Sequence, residues 1–247
     1  MDERIPIFLL DSHEKFQPLA VESVEAVPAT MMLPPPGHAG PDAEGSYRDS
    51  GPVQLGSLPL EGGRMNFPGR PTPEEQETSL PPELRGVGYR RELEDGGLTW
   101  IQYWLWYLYN PKVIALVAGK HEGDWEFVQV GYRDGEPVAM TVSQHHSGGK
   151  RGWDQVKKRD GRPLIYVARD SHANFFEATD EIQEIADDAD GEGAPLADLK
   201  WREFGPWANW FGRWGNSTEE GKSPESPGRQ CQRWYLPRGY HEGAESQ

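Results

Sequence analysis

The stretch of sequence that decides the fold consists of two β-prone segments joined by a turn: DWEFVQVGY (124–132), RDGE (133–136) and PVAMTVSQ (137–144). Both segments are rich in valine and aromatic or β-branched residues, which favour strands. The Asp-Gly pair between them is a strong signal for a tight reversal of the chain. The stretch therefore predicts an antiparallel β-hairpin.

Other segments extend this hairpin into a β protein. Residues 89–93 and 98–110 flank a second Asp-Gly turn, and residues 163–169 form a compact apolar run that suits a buried strand. Residues 4–10 predict another short strand. Together the segments predict an all-β fold, an antiparallel β-sandwich with long loops and a few short helices.

The composition agrees with a β protein and excludes several functional classes. Glycine (29) and proline (22) are frequent, which disfavours a long helical bundle. Lys plus Arg number 25 and Asp plus Glu 40, so the net charge is −15, which argues against nucleic acid as a partner. The single cysteine, Cys231, cannot form an intramolecular disulfide. No stretch approaches the ~20 apolar residues of a transmembrane segment and no signal peptide is evident, so a cytoplasmic location is expected.

The length of the chain fits one β-sandwich or barrel domain, or two small domains. No internal repeat is evident along the chain, and a single β-sandwich domain over residues 1–247 is predicted. Within it, residues 28–82 are rich in proline and glycine and show no sustained period, which predicts a covering arm and not an independent domain. The sequence does not decide whether this arm is ordered or partly disordered. Residues 205–243 alternate tryptophan with glycine, proline and serine. This pattern predicts a tail that wraps the core through its aromatic residues.

The residues that carry chemistry are concentrated in the segment GKHEGDWEFV (119–128). Alternate residues of a strand share a face, so Asp124 and Glu126 point one way and Trp125 points the other. Two carboxylates on one face, with His121 on the turn that leads in, suit a divalent cation. Ca²⁺ or Mg²⁺ is favoured over Zn²⁺ because the ligands are mostly oxygen and no cysteine accompanies them. The alternative is a solvated edge strand beside a loop histidine, and spacing alone does not decide between the two.

Two histidines, His145 and His146, follow the returning strand of the hairpin. With the turn centred between residues 134 and 135, the numbers of facing residues sum to 269, which places His145 opposite Asp124. His146 then points to the other face, and a one-residue irregularity would reverse the assignment. His145 is therefore a candidate metal ligand or catalytic residue.

A third polar cluster, RDSHAN (169–174), closes the buried strand. Three neighbours in sequence cannot converge as a catalytic triad, so Ser171 is not expected to be a nucleophile. His172 is the more credible functional residue of this cluster, as a metal ligand, an orienting group or a candidate for proton transfer.

Aromatic residues alternate along the strand predicted over residues 98–110. Trp104 and Trp106 share one face, and Tyr103, Tyr107 and Tyr109 share the other. Core packing accounts for most of this run. The alternative is a platform for a sugar or a lipid headgroup, for which Trp104 and Trp106 are the ligand-binding candidates.

Several of these segments resemble the family named after the fungal vacuolar protein sorting-associated protein sixty-two. The resemblance covers most of the chain apart from the arm, and its most specific element is His-x-x-Asp-Trp-Glu at 121–126. The segments that carry it are LDSHEKFQP (10–18), residues 103–111, HEGDWE (121–126), SQH (143–145), IYVARDSHA (165–173) and the Trp-Gly and Ser-Pro pairs at 214–215, 223–224 and 226–227.

The His-x-x-Asp-Trp-Glu element is also similar to the heptad of the necrosis- and ethylene-inducing-peptide-like proteins, a group of secreted cytolysins. That resemblance implies a β-sandwich with a divalent cation at the floor of a pocket. It carries over His121, Asp124 and Glu126 as metal ligands and matches His145 to a histidine of the group. A further aspartate of that group falls near Asn110, which makes Asn110 a candidate for ligand binding.

Three functions stay open on the sequence alone. The leading hypothesis is a metal-dependent binding protein that holds a small polar ligand, a glycan or a lipid headgroup in an aromatic-rimmed pocket. The alternatives are a metal-dependent, hydrolase-like enzyme that uses His145 or His172 for proton transfer, and a scaffold whose cation is structural. The sequence does not indicate the oligomeric state.

Overall fold

The computed structural model describes residues 4–27, 29–40, 46–67, 69, 72–73, 79–112, 119–144, 147–179, 187–216 and 223–230. Strands dominate these ranges. They are β1 (Ile7–Leu10), β2 (Thr30–Leu33), β3 (Arg48–Pro52), β4 (Gly63–Asn66), β5 (Val87–Asp95), β6 (Leu98–Asn110), β7 (His121–Arg133), β8 (Glu136–Gln144), β9 (Ser147–Gly152), β10 (Lys158–Arg159), β11 (Arg162–Val167), β12 (Asn174–Phe175), β13 (Pro195–Leu196), β14 (Lys200–Arg202) and β15 (Gly212–Arg213). The helical elements are α1 (Ser23–Ala26) and short 3₁₀ helices at Leu55–Ser57, Pro82–Leu84, Trp153–Gln155, Pro206–Asn209 and Pro227–Arg229.

The strands form three sheets. The central sheet has the order β14-β5-β6-β7-β8-β9. The second sheet has the order β10-β11-β1-β13, with β12 paired to β11, and the third has the order β15-β4-β2-β3. The prediction of an all-β fold with few short helices is confirmed. The sheets are mixed because β1 pairs with β11, β14 with β5 and β15 with β4 in parallel.

Both faces of the central sheet are buried. One face packs Trp104, Trp106 and Trp125 against the third sheet and the tail, in a cluster that includes Met65 and Trp214. The other face lies against the second sheet, in a cluster of Tyr, Val and Leu side chains from β6 and β7 with apolar residues of β1 and β11. The aromatic alternation predicted for β6 is confirmed by this division. A sheet covered on both sides explains why β6 and β7 are apolar at so many consecutive positions.

The hairpin of β7 and β8 forms as predicted, but its register differs from the prediction. Val128 faces Val142, so the numbers of facing residues sum to 270 along this part of the ladder and not to 269. The pairs beside the turn do sum to 269, and the ladder shifts between Gly131 and Tyr132. A one-residue irregularity moves the later side chains of a strand to the other face relative to the partner. The predicted contact of His145 depended on the uninterrupted register, and His145 itself lies outside the described residues, as does His146.

Parts of the arm and of the tail contribute to the core. The arm supplies β2, β3 and β4 of the third sheet, although these short strands showed no period in the sequence. From the tail, Trp207, Trp210 and Trp214 lie in the same apolar cluster as the tryptophans of the central sheet. The covering arm over residues 28–82 and the wrapping tail over residues 205–243 stay predictions. Within the described ranges, no helix has the length and apolarity needed to span a membrane.

Candidate functional site

The polar residues of interest meet at one end of the central sheet. Because β1 and β11 run parallel, their carboxyl ends lie at the same end of the second sheet, and so do the loops that follow them, 11–18 and 168–173. In the central sheet, Tyr107 of β6 faces Asp124 of β7. The ends of four strands therefore place side chains from distant parts of the sequence next to each other.

Asp124 is the hub of this arrangement. Its side chain is buried, and the residue is only 5% exposed. Its Oδ2 accepts a hydrogen bond from Asn110 Nδ2 at 3.2 Å and also contacts His172 Nδ1 at 2.9 Å. Asn110 also donates to the backbone carbonyl of Ser171 at 3.3 Å, which ties the end of β6 to the loop that carries His172. Asn110, expected here from family resemblance alone, is thus in contact with a predicted metal ligand.

Glu126 lies two residues further along β7, on the same face as Asp124, and is 4% exposed. The hydroxyl of Ser143, on β8, donates to Glu126 Oε2. That hydroxyl also accepts hydrogen bonds from the Phe127 backbone N–H at 2.9 Å and from Asn174 Nδ2 at 3.3 Å. The Glu126 carboxylate is therefore held by the Ser143 side chain, which is itself fixed by hydrogen bonds from β7 and from β12.

His172 stands between two carboxylates. Its ring is fully buried and stacks on Tyr107 with a centroid distance of 3.8 Å and an interplanar angle of 1°. Nδ1 contacts Asp124, and Nε2 lies 3.9 Å from Glu14 Oε2. Both oxygens of Glu14 are also held by backbone N–H groups, those of Phe16 and Asp170, at 2.6 Å each. We refer to Glu14, Asp124, Glu126 and His172 as the buried carboxylate cluster.

The electrostatics of this cluster follow from burial and proximity. Burial lowers the pKa of His172, but the charge of Glu14 and the hydrogen bond and charge of Asp124 outweigh it, so its pKa is raised. Burial raises the pKa of Glu14 more than the charge of His172 lowers it. Burial also raises the pKa of Tyr107, and the charges of Glu14, Asp124 and Glu126 act in the same direction. The three shifts have the same sense: the cluster stabilises the positively charged form of His172 and disfavours the ionised forms of Glu14 and Tyr107.

The structure does not gather all predicted ligands. Nδ1 of His121 is 2.6 Å from the backbone carbonyl of Gly123, and His121, Asp124 and Glu126 do not form a group with ligand atoms within 4.8 Å of one another among the described residues. Gly123 has a φ of +68°, which interrupts the strand geometry between the histidine and the carboxylates. His145, the fourth predicted ligand, lies outside the described residues.

Trp104 and Trp106 do not form an exposed rim. Both side chains have no exposed surface and pack in the cluster between the central and third sheets. Trp104 stacks on Phe127 at 4.6 Å, and Trp106 lies 5.0 Å from Trp125. Because Asp124 points to the opposite face of the sheet from these rings, the ligand-binding role predicted for the two tryptophans is not supported, and core packing accounts for both.

A second group at the same end of the molecule has the composition of a cation site. Ligand atoms of Asp11, His13 and Asp190 all lie within 4.8 Å of one another. Asp11 is buried, whereas the His13 side chain is 73% exposed. The carboxylate of Asp190 accepts hydrogen bonds from the backbone N–H and hydroxyl of Ser12 at 2.8 and 2.5 Å. This group is a candidate metal-binding cluster, and sequence analysis did not identify it because its aspartates are far apart in the chain.

Glu14, Ser143 and Asn174 also belong to the site, although the sequence did not predict a role for them. Glu14 and Ser143 both lie in segments that carry the family resemblance. Asn174 is two residues beyond His172, at the start of β12. The positions of Glu14 and Ser143 in these segments could have marked them as candidates, but the convergence of all three residues depends on contacts between strands that are distant in sequence.

Comparisons with known proteins find both resemblances again. Two proteins of Saccharomyces cerevisiae match part of the chain: the vacuolar protein sorting-associated protein TDA6, 28% identical over 129 residues, and the vacuolar protein sorting-associated protein 62, 29% identical over 100 residues. The matches cover 40% and 33% of this chain but only 28% and 21% of the yeast proteins. No protein-family model matches the chain. The chain is therefore similar to part of each yeast protein.

Among solved structures, the chain is similar to the non-toxic HaNLP3 protein and to NLPPya in complex with mannosamine. Each match has 15% identity, and the TM-scores are 0.39 and 0.38. They cover 81% of this chain and 71% and 69% of the respective solved chains. Likeness at this level carries over no residue role and no ligand, and the all-β assignment stands on the strands themselves.

Proposed function

We propose that the protein binds a divalent cation at Asp124 and Glu126 and uses it to hold a small polar ligand. The observation that supports this most directly is the burial of both carboxylates on one face of β7, with a third carboxylate, that of Glu14, on the other side of His172. Buried anions are costly unless a cation or a proton compensates them. A bound divalent cation would provide that compensation at the end of the sheet.

The donor set fits a hard cation. The nearby groups are carboxylates, an amide and a hydroxyl, which suit Ca²⁺ or Mg²⁺ better than Zn²⁺. The buried amide oxygen of Asn174 lacks a hydrogen-bond partner among the described residues, which adds an unused neutral oxygen donor near the carboxylates. His121 and His145 stay proposed ligands from the sequence. For His121 this requires that the ring leave its contact with the Gly123 carbonyl.

Such a cation would recruit the oxygens of a polar headgroup or a glycan through coordination positions that the protein does not fill. Structures of NLPPya with mannosamine and with glucosamine make these two amino sugars convenient first probes. The Asp11, His13 and Asp190 group is a competing location for the cation at the same end of the molecule. The test must therefore distinguish the two locations.

Metal content after dialysis and calorimetric titration with Ca²⁺ and Mg²⁺ provide that test. We expect the Asp124→Asn and Glu126→Gln variants to lose most of the bound cation. The matched control is Asp190→Asn, which removes a carboxylate charge from the second group and should leave binding unchanged. Retained cation binding in both β7 variants contradicts the proposal. Loss of cation binding in Asp190→Asn alone indicates that the cation binds at the group of Asp11, His13 and Asp190. Titration with glucosamine, with and without the cation, then tests metal-dependent ligand binding.

A metal-dependent hydrolase is a second candidate because of one observation. The 2.9 Å contact between Asp124 Oδ2 and His172 Nδ1 is of the kind that orients a histidine for proton transfer. Hydrolysis of p-nitrophenyl phosphate and p-nitrophenyl acetate in the presence of Ca²⁺ or Mg²⁺ tests it. For an enzyme, His172→Gln should abolish turnover while cation binding persists. Absence of turnover in the wild-type protein with both reagents counts against this candidate.

A further inference from the structure

Three buried polar atoms around the carboxylate cluster lack a hydrogen-bond partner among the described residues. They are Nε2 of His172, Oδ1 of Asn174 and the hydroxyl oxygen of Tyr107. All three residues have no exposed surface. Unpartnered polar atoms are rare in protein interiors, and each one calls for an explanation such as a bound ion or water. Their concentration beside Asp124 and Glu126 points to a bound polar species there.

The hydrogen bonds of Ser143 fix the orientation of the Asn174 amide. A serine hydroxyl has one hydrogen to donate and two lone pairs that accept. The backbone N–H of Phe127 and Nδ2 of Asn174 donate to Ser143 Oγ, so its hydrogen is directed to Glu126. Turning the amide around would set Oδ1 of Asn174 against an oxygen whose only hydrogen is already used. The amide oxygen is therefore the group that Asn174 leaves available.

The three unpartnered atoms differ in what they can bind. Nε2 of His172 donates a hydrogen bond when the ring is protonated, and the tyrosine hydroxyl can donate or accept one, whereas the amide oxygen of Asn174 can only accept. A cation requires acceptors, and Ca²⁺ commonly takes amide oxygens together with carboxylates. We propose that Asn174 Oδ1 is a further, neutral ligand of the divalent cation held by Asp124 and Glu126. This inference rests on the proposed function and adds β12 to the strands that form the site.

Two substitutions separate a ligand role from a structural one. Asn174→Leu and Asn174→Asp both remove the Nδ2 donor to Ser143, but only aspartate keeps an oxygen that can bind a cation. We expect Asn174→Leu to weaken Ca²⁺ binding by at least about tenfold, whereas Asn174→Asp should bind as tightly as the wild-type protein or more tightly. Titration calorimetry with Ca²⁺ measures both affinities. Thr141→Val is a matched control, since Thr141 on β8 also has a buried, unpartnered oxygen but is separate from the cluster contacts described above.

The outcomes distinguish this inference from the proposed function. If the wild-type protein binds no Ca²⁺ or Mg²⁺, both fail. If it binds, Asp124→Asn abolishes binding and Asn174→Leu binds as the wild-type protein does, only the role of Asn174 fails. Equal weakening in the leucine and aspartate variants also overturns that role, because it indicates an effect through Ser143. Circular dichroism checks folding, and Asn174→Ala replaces the leucine variant if leucine does not fit.

Discussion

The Gly123→Ala substitution tests how the strand that carries the carboxylates is fixed. Gly123 has a φ of +68°, a conformation that costs an L-residue with a side chain. A Cβ atom built at this position would lie 2.2 Å from the carbonyl oxygen of Trp214 and 2.5 Å from the ring of Trp106. Both tryptophans are fully buried, so neither can move into solvent to make room.

The expected cost has two parts. The left-handed backbone costs an alanine about 1–2 kcal/mol, and overpacking a dense core typically costs about 1–3 kcal/mol, which gives about 2–5 kcal/mol in total. Gly135→Ala provides the control for the first part. Gly135 has a φ of +81° but no heavy atom within 4 Å of its would-be Cβ, so only the backbone cost of about 1–2 kcal/mol is expected there.

Urea unfolding followed by tryptophan fluorescence gives the free energy of unfolding of both variants. Near-ultraviolet circular dichroism then reports whether the packing of the tryptophan rings changes in Gly123→Ala. If Gly123→Ala destabilises the protein no more than Gly135→Ala does, the close approach of the tail to β7 is not a constraint in solution. That result would refute the argument that the tail fixes the position of β7 beside Gly123.

Three other changes have expected outcomes. Ser143→Ala should lower the free energy of unfolding by about 1–3 kcal/mol in urea titrations, because Glu126 and the Phe127 N–H lose a buried partner; an unchanged value contradicts the importance of this contact. Trp214→Ala should lower the free energy of unfolding by about 3–5 kcal/mol in the same measurement, because the Trp214 ring packs against four other tryptophans, Trp106, Trp125, Trp207 and Trp210. A loss below about 1 kcal/mol would show that the tail is not part of the core. Chelation of divalent cations should lower the melting temperature in differential scanning fluorimetry, and Ca²⁺ at 100 times its dissociation constant should restore about 2.7 kcal/mol; a melting temperature insensitive to both is inconsistent with the proposed site.

Local patterns were sufficient to predict the strands that form the centre of the fold. The two Asp-Gly turns and the β-prone segments beside them predicted the hairpins of β5 with β6 and of β7 with β8. The alternation of side chains also placed Asp124 and Glu126 on the face opposite Trp125. These features depend on residues close in sequence, whose geometry is set by the strand itself.

Contacts between distant segments could not be predicted in the same way. Asp124 and His172 are 48 residues apart, and Glu14 reaches the backbone of Asp170 across 156 residues. The predicted register of β7 and β8 was wrong by one residue beyond the turn, because no residue pattern marks the irregularity between Gly131 and Tyr132. The burial of the tryptophans likewise depends on the third sheet, whose strands are too short to show a period.

The backbone around the carboxylate cluster is unusual where it carries His172. Asp170 and His172 both have positive φ values, +67° and +56°, which are uncommon for residues other than glycine. Such conformations persist where surrounding contacts determine them, and they concentrate at functional sites. Here the contacts are known: Glu14 holds the Asp170 N–H, and Asp124 together with the Tyr107 ring holds the His172 side chain. Asp124 thus both stabilises the strained loop and is a proposed ligand of the cation, so removing its carboxylate should loosen the loop as well as the cation site.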